Sequence, residues 1–444
     1  MSDHHASEPH LQRSLGPFML WGLGVGLVIS GMYFGWNLGL EKGGTLGFAI
    51  ATFFIIILYI TFTFSYAELA CAIPKAGGAF DYATQALGKG PGFICGVAQL
   101  IEFIFAPPAI AAAIGAYFHI YFPDIPVVVI AIIAYVLFTT LNIIGLKPAT
   151  LFEMVITILA VAELLLFAGI TLPHIEVSNF SKNALPHGVA GIFASVPFAI
   201  WFFLAIEGVA NLAEETVNPQ KNISTGLTWT IATLVFLCVL TFVSAVGVNG
   251  WESIVFTPSG QTSDSPLPMA LAQVAGSSEL MYHLLVSIGL LGLVASFHGI
   301  ILAAGRASFE FGRVGYAPKW LGNIHPRFKT PAYALLVNMG IGIIALLTGK
   351  TGEIITLAAF GAITLYIFSM ISLFALRKKA PQLPRPFKVP VYPWFPGIAL
   401  ILAGIALLAM CVYNLNLAVI YLSMLALAYI GFRFVSKKEL KVYK

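Results

Sequence analysis

Apolar runs of about 20 residues, each long enough to cross a hydrocarbon core of roughly 30 Å as a helix, recur along the chain from Leu20 to Phe432. Short polar, proline-bearing or glycine-bearing stretches separate them. The pattern predicts twelve spans, at 18–40, 45–72, 91–120, 126–146, 150–172, 190–212, 225–248, 280–305, 332–349, 352–376, 396–413 and 415–433. Only Tyr413–Asn414–Leu415–Asn416 divides the last two. The first run is too long for a signal peptide and lacks a small-residue cleavage site, so it reads as the first span. The longest loops are 73–90, 249–279, 306–331 and 377–395, and none reads as a soluble domain. The segment WESIVFTPSGQTSDSPLPMA is polar and rich in Pro and Ser, as an exposed connection should be.

Composition leaves one class. Of 444 residues 59% are apolar and 9% charged, with mean hydropathy +0.91, where soluble domains carry about 25% charged residues. The expected fold class is an all-α polytopic membrane protein of about twelve transmembrane helices. With the N-terminus inside, only Lys42, Lys182 and Lys350 of the 23 Lys and Arg fall outside, leaving 20 on the cytoplasmic face. Positive loops stay in the cytoplasm, so both termini are expected there, in a multi-pass protein of the cell inner (plasma) membrane. The net charge of +4 then describes topology and attraction to anionic lipid; the bilayer is the partner it implies, and nucleic acid is not. Cys71, Cys95, Cys238 and Cys411 show no metal or redox spacing and read as small buried hydrophobes. The N-terminal tail, with His4, His5 and His10, reads as disordered. Neither a cofactor nor a resident metal is expected.

Chemistry sits where the spans weaken. Glu207 lies inside FAIWFFLAIEGVANL, where a charge costs about 3 kcal/mol even on lenient insertion scales. Gly208 follows it, which suggests a span that breaks to hold a polar ligand. Trp201, Leu204, Gly208 and Asn211 recur at helical spacing, so one face carries them with Glu207 beside it. Span 1, WGLGVGLVISGMYFGWNLGL, has Gly22, Gly24 and Gly26 close together, then Gly31, Gly35 and Gly39 at every fourth residue. The second set is a small-residue packing stripe; the first weakens the helix beyond what packing needs. Spans 1 and 6 each open a five-span set, and interrupted helices at matching positions point to a transport site. A membrane-embedded enzyme would need a ligand-spaced cluster such as His-Glu-x-x-His, and none occurs.

VISGMYFGWNLGL, YAELACAIPKAGGAFDYATQALGKGPGF, LNIIGLKPA, AIEGVANLAEETVNPQKNIS and GRASFEFGRVGYAPKWL together resemble the amino acid–polyamine–organocation superfamily over nearly the whole chain. ISGMYFGWNLGL and span 3 look most like the ethanolamine permeases. The resemblance implies two inverted five-helix repeats (spans 1–5 in 18–172, spans 6–10 in 190–376) as the core 18–376. Two added spans in 396–433 and tails at 1–17 and 434–444 complete it. It places substrate between spans 1, 3, 6, 8 and 10. It implies that carbonyls of Leu27, Trp201 and Leu204 hold the substrate amine, with Trp201 as an aromatic wall. Amides of Ser30 and Gly31 would hold a carboxylate if the substrate had one. The chain departs from the superfamily's Ile-Gly-Ser-Gly at Val28-Ile29-Ser30-Gly31. It has Ala205-Ile206 where a glycine usually precedes the acid, and Ala160 where proton-driven relatives carry a lysine.

Further polar residues in the spans complete the candidates. Glu102 in span 3 stands where relatives have neutral residues; it would face an amine lacking a carboxylate, or else lie near one end of a tilted helix or be held neutral by burial. Pro107 and Pro108 are expected to kink that helix. Glu207 matches an acid that serves gating or proton-linked release in relatives, a role the resemblance implies here; otherwise it makes a structural hydrogen bond to a neighbouring broken helix. Glu163 and His298, with Glu207, are the candidates for coupling to protons, and His298 also for the substrate site. A lone histidine on an apolar helix is otherwise a satisfied core residue. Arg306 and Glu310, four residues apart, are expected to pair with each other. Tyr366 and Phe360 either line the pocket or pack. The expected function is a secondary transporter importing a small cationic amine, ethanolamine first, by alternating access with protons as a possible partner. The alternative is an amino-acid or polyamine transporter or exchanger of the same superfamily.

Overall fold

The computed structural model describes residues 13–75, 77–145, 150–276 and 280–442. The histidine-bearing tail and Lys147 lie outside them. Among the described residues there are helices and two isolated β-bridges but no strand. Ten helices are long and apolar enough to cross a membrane. Two shorter apolar helices, Pro17–Val28 and Ala332–Leu346, stand where the first and ninth spans are expected.

The order along the chain follows the hydrophobic runs. Span 1 comprises Pro17–Val28, the short helix Ser30–Tyr33 and the start of the helix assigned as Asn37–Ala72. Gly44, with φ 64°, turns that last helix back on itself, and span 2 is the remainder. Only glycine takes that dihedral without strain. Spans 3, 4 and 5 are Lys89–His119, Val127–Ile144 and Thr150–Thr171. Span 6 is divided into Gly188–Ala194, Val196–Trp201 and the 3₁₀ helix Ile206–Glu215. Spans 7, 8, 9 and 10 are Pro219–Asn249, Leu280–Arg313, Ala332–Leu346 and Thr351–Lys379. Spans 11 and 12 are Trp394–Tyr413 and Leu415–Val442, the last running on beyond its apolar part at Phe434. Span 3 continues as helix through Pro107 and Pro108.

Burial separates centre from rim. In spans 3 and 10, 78% of the most apolar window is buried within the protein, against 17% in span 12. Spans 3 and 10 are therefore the central posts, packed on each other, and span 12 is wrapped by lipid. Gly361 of span 10 sits so close to span 3 that a Cβ there would meet the Ala98 carbonyl at 2.5 Å and the Glu102 nitrogen at 2.7 Å. The side of span 3 carrying Glu102 is thereby held against span 10.

A clamp joins the ends of spans 2 and 10 on the face expected to be cytoplasmic. Glu68, fully buried, accepts from Arg377 at 2.7 and 2.6 Å and from the Val389 amide at 2.8 Å, with Arg385 at 3.3 Å. Arg306 does not pair with Glu310, as its spacing suggests. It reaches Glu215 at the end of span 6, at 3.1 Å, while Glu310 pairs with Arg313 at 2.8 Å. The cross-helix partner lies nearer because the end of span 6 passes beside span 8.

Candidate functional site

Two helix breaks cross at the centre. Span 1 loses its helix at Ile29 and again after Tyr33. Span 6 loses it after Trp201, and Ala205 adopts φ 74°. The break thus precedes Glu207 and falls on Ala205 rather than on Gly208. Because residues 206–215 then wind as a 3₁₀ helix with three residues per turn, the single α-helical face expected for Trp201, Leu204, Gly208 and Asn211 does not form. The two spans touch backbone to backbone: a Cβ on Gly31 would lie 2.5 Å from the Trp201 carbonyl. Gly208 leaves room for the Leu27 side chain, whose Cδ2 would be 2.5 Å from a Cβ there.

Glu102 and Glu207 meet at this crossing. Both are fully buried. Glu102 Oε1 accepts from the Ala205 amide at 3.1 Å, so span 3 holds the left-handed turn of span 6. Glu207 Oε2 accepts from the Tyr366 hydroxyl at 3.0 Å. Tyr366 and Tyr59 hydroxyls are 3.1 Å apart, and Tyr59 reaches the Ile200 carbonyl at 3.3 Å. Glu102 holds the amide of Ala205, two residues before Glu207, so the two acids share one locality. Their remaining oxygens, Oε2 of Glu102 and Oε1 of Glu207, have no donor. An ionised carboxylate only accepts, so each of these two oxygens is an acceptor available to a hydrogen-bond donor. Aromatic rings surround it, with Tyr59 against Phe203 at 5.0 Å and Tyr366 against Phe62 at 4.0 Å.

The sequence profile of the amino acid permease family matches residues 15–433. The chain belongs to that family. The permease is 30% identical to an uncharacterized transporter of Rhizobium meliloti, with 91% of this chain and 88% of the relative aligned. It is 25% identical to a branched-chain amino acid permease of Bacillus subtilis, over 89% of this chain and 88% of that protein. Against a low-affinity putrescine importer of Escherichia coli identity is 27%, covering 77% and 76%. The relatives are transporters by name, and the permease is a multi-pass membrane protein like them.

The other expected site residues fall into three places. Ser30 Oγ lies 2.8 Å from Ser296 Oγ, and Ser296 donates to the Leu27 carbonyl at 2.6 Å. One carbonyl expected to face an amine is therefore engaged by span 8. Trp201 is buried against Phe34, ring centroids 5.4 Å apart, with its Nε1 unpartnered beside Gly35. Leu204 is buried at the span 6 turn. His298 stands elsewhere, with Nδ1 3.5 Å from Glu153 of span 5, and no hydrogen bond or ion pair joins it to Glu102 or Glu207 among the described residues. Glu163 is also apart. It lies beside the Tyr33 hydroxyl, which donates to the Ala160 carbonyl at 2.9 Å, and lines a cavity of about 10 Å³ together with Leu267 and Leu271 of the 249–276 segment. Phe360 is buried and stacks on Tyr421 of span 12 at 5.2 Å. Three participants went unread: Tyr59, Ser296 and Glu153. Tyr59 carried a signal, a lone phenol in the apolar run IIILYITF.

Proposed function

We propose that this permease imports a small organic cation with one ammonium group and no carboxylate, ethanolamine first, by alternating access. The observation that carries the reading is the Glu102–Glu207 pair, with one unpartnered buried oxygen on each acid. An ammonium head offers three donors and one positive charge, which matches two inward acceptors. Tyr59 and Tyr366 add aromatic faces suited to a cation. A substrate carboxylate brought beside these acids would be repelled, which argues against ordinary amino acids. A linear diamine needs anions at both ends, whereas here both acids share one spot.

A proton and an ammonium would compete for the same two oxygens. Coupling through this pair alone is therefore exchange, and co-transport needs a second proton-carrying group. The Glu153–His298 pair and Glu163 are the remaining intramembrane candidates. Binding closes the break of span 6 over the substrate, and tilting of spans 1 and 6 then opens the site inward.

The test is competition against uptake of labelled ethanolamine in proteoliposomes. Ethanolamine and close monoamines should compete, and leucine and putrescine should not. Strong competition by leucine with none by ethanolamine favours the amino-acid alternative suggested by the Bacillus relative. An inward proton gradient should accelerate uptake, and Glu163→Gln or His298→Asn should remove that acceleration while sparing exchange. An unchanged rate under the gradient removes protons from the scheme.

A further inference from the structure

A groove of about 330 Å³ runs down the lipid-facing flank between spans 3, 9 and 12. Val97, Leu100 and Ile104 of span 3 form one wall, Ile341 the second, and Met424 and Ala428 the third. Spacings of three and four residues make the span 3 wall a single stripe. The lining is wholly apolar, and Leu336, Ile344, Leu422 and Leu427 on the same helices are exposed, as lipid-wrapped residues are. At roughly 30 Å³ for each water-sized group, the groove accommodates about ten methylenes. Its walls would forfeit dispersion contacts if nothing packed against them, and an apolar lining offers water no hydrogen bond.

One end of the groove is marked by charge. One turn beyond Val97 and Ala428, Phe93 stacks on Phe432 at 4.4 Å. Tyr429 comes within ordinary contact of Gly90, 3.5 Å from a Cβ built there. The start of span 3 and the late part of span 12 are therefore adjacent, and they carry exposed Lys89 and Arg433. This is the face expected to be cytoplasmic, where a phospholipid of the inner leaflet would place its headgroup.

We infer that this groove holds one acyl chain of an anionic phospholipid, with its phosphate at Lys89 and Arg433. Apolar volume, lipid-facing position and two cations at one mouth all fit this occupant. A second copy of the chain would fill the groove but would not require the cations. Ile101, also on the groove wall, precedes Glu102 in the sequence. The lipid thus supports the helix that presents Glu102 from behind, whatever the substrate is.

Native mass spectrometry of the full-length protein, titrated with equal amounts of phosphatidylglycerol and phosphatidylcholine of matched chains, provides the test. The wild type should retain one phosphatidylglycerol per protein. Leu100→Trp, which fills the groove from a partly exposed position, should lower that occupancy at least tenfold. Lys89→Gln and Arg433→Gln should each reduce the preference for phosphatidylglycerol about fivefold, the effect of one basic residue at an anionic surface. Ile104→Phe is a milder filling variant, and thermal melting checks that every variant is folded. Phosphatidylglycerol should raise the melting temperature of the wild type and not that of Leu100→Trp. Equal lipid retention by folded wild type and Leu100→Trp overturns the inference. So does absence of any headgroup preference, or a protein dimer in place of the lipid adduct.

Discussion

Glu102→Gln perturbs the site with the least rearrangement. Glutamine keeps the side-chain length and a carbonyl oxygen that can still accept the Ala205 amide at 3.1 Å. It replaces the unpartnered Oε2 beside Glu207 with an NH₂ group that donates. Glu207 Oε1 is then satisfied internally, and an incoming ammonium loses one charged acceptor and meets a competing donor. A hydrogen bond to a charged group contributes about 1.5–3 kcal/mol. At 1.4 kcal/mol per factor of ten, the half-saturating ethanolamine concentration should rise about 10- to 150-fold. Initial rates of labelled uptake in proteoliposomes, measured over a range of concentrations, give that value together with the maximal rate. Glu102→Ala adds a second effect: the Ala205 amide is left buried without an acceptor, costing about 1–3 kcal/mol of stability and lowering the melting temperature, which Gln should not do. A folded Glu102→Gln protein with KM within twofold of wild type would refute the reasoning. So would an equal rise in KM for a neutral amino acid substrate.

Gly31→Ala places a methyl group 2.5 Å from the Trp201 carbonyl; overpacking costs about 1–3 kcal/mol, so uptake should fall sharply while membrane insertion persists, and wild-type uptake would mean that spans 1 and 6 need not touch there. Glu68→Gln breaks the buried clamp to Arg377 and Arg385; loss of about 3–5 kcal/mol should appear as a large drop in melting temperature, and an unchanged midpoint would show that the clamp is dispensable. Asp264 in the 249–276 segment accepts from Thr351 at 2.9 Å, and burial pushes its carboxyl up to about 6, against the lowering effect of that bond. The folded value lies above the unfolded one near 4, so the folded state takes up the proton first. Stability should therefore rise by about 1–3 kcal/mol as pH falls from above 6 to about 4. Asp264→Asn should flatten this part of the melting profile between pH 7.5 and 5, and a profile that falls with acid only in the wild type would reverse the sign.

How far the site could be read in advance depends on where each partner lies in the sequence. Glu207 and Glu102 were legible one at a time, because a carboxylate in an apolar run is conspicuous without knowing its neighbours. That they share one spot was not, since 102 and 207 are on different helices and periodicity says nothing of how helices are rotated against each other. The break in span 6 was legible as a tendency. Its position was not: Ala205 takes the left-handed turn because Glu102 receives its amide, a tertiary contact overriding local propensity. Arg306 shows the same limit in reverse, where a sound local pairing rule loses to Glu215 arriving from another span.

The sequence by itself determined that this is a helical membrane protein, roughly where its spans lie, which face its positive loops favour, and which family it resembles. Each follows from quantities that add up along the chain: apolar length against bilayer thickness, charge on each side, and motifs in consecutive residues. Only the tertiary structure decided which polar groups meet. It joined Glu102 to Glu207, drew Tyr59 and Tyr366 to them, set His298 against Glu153, and turned Ile101 toward a groove. In a bilayer the helices are apolar nearly all round, so hydrophobicity does not orient them toward one another. Close glycine contacts and a few buried hydrogen bonds do, and those are properties of pairs of helices.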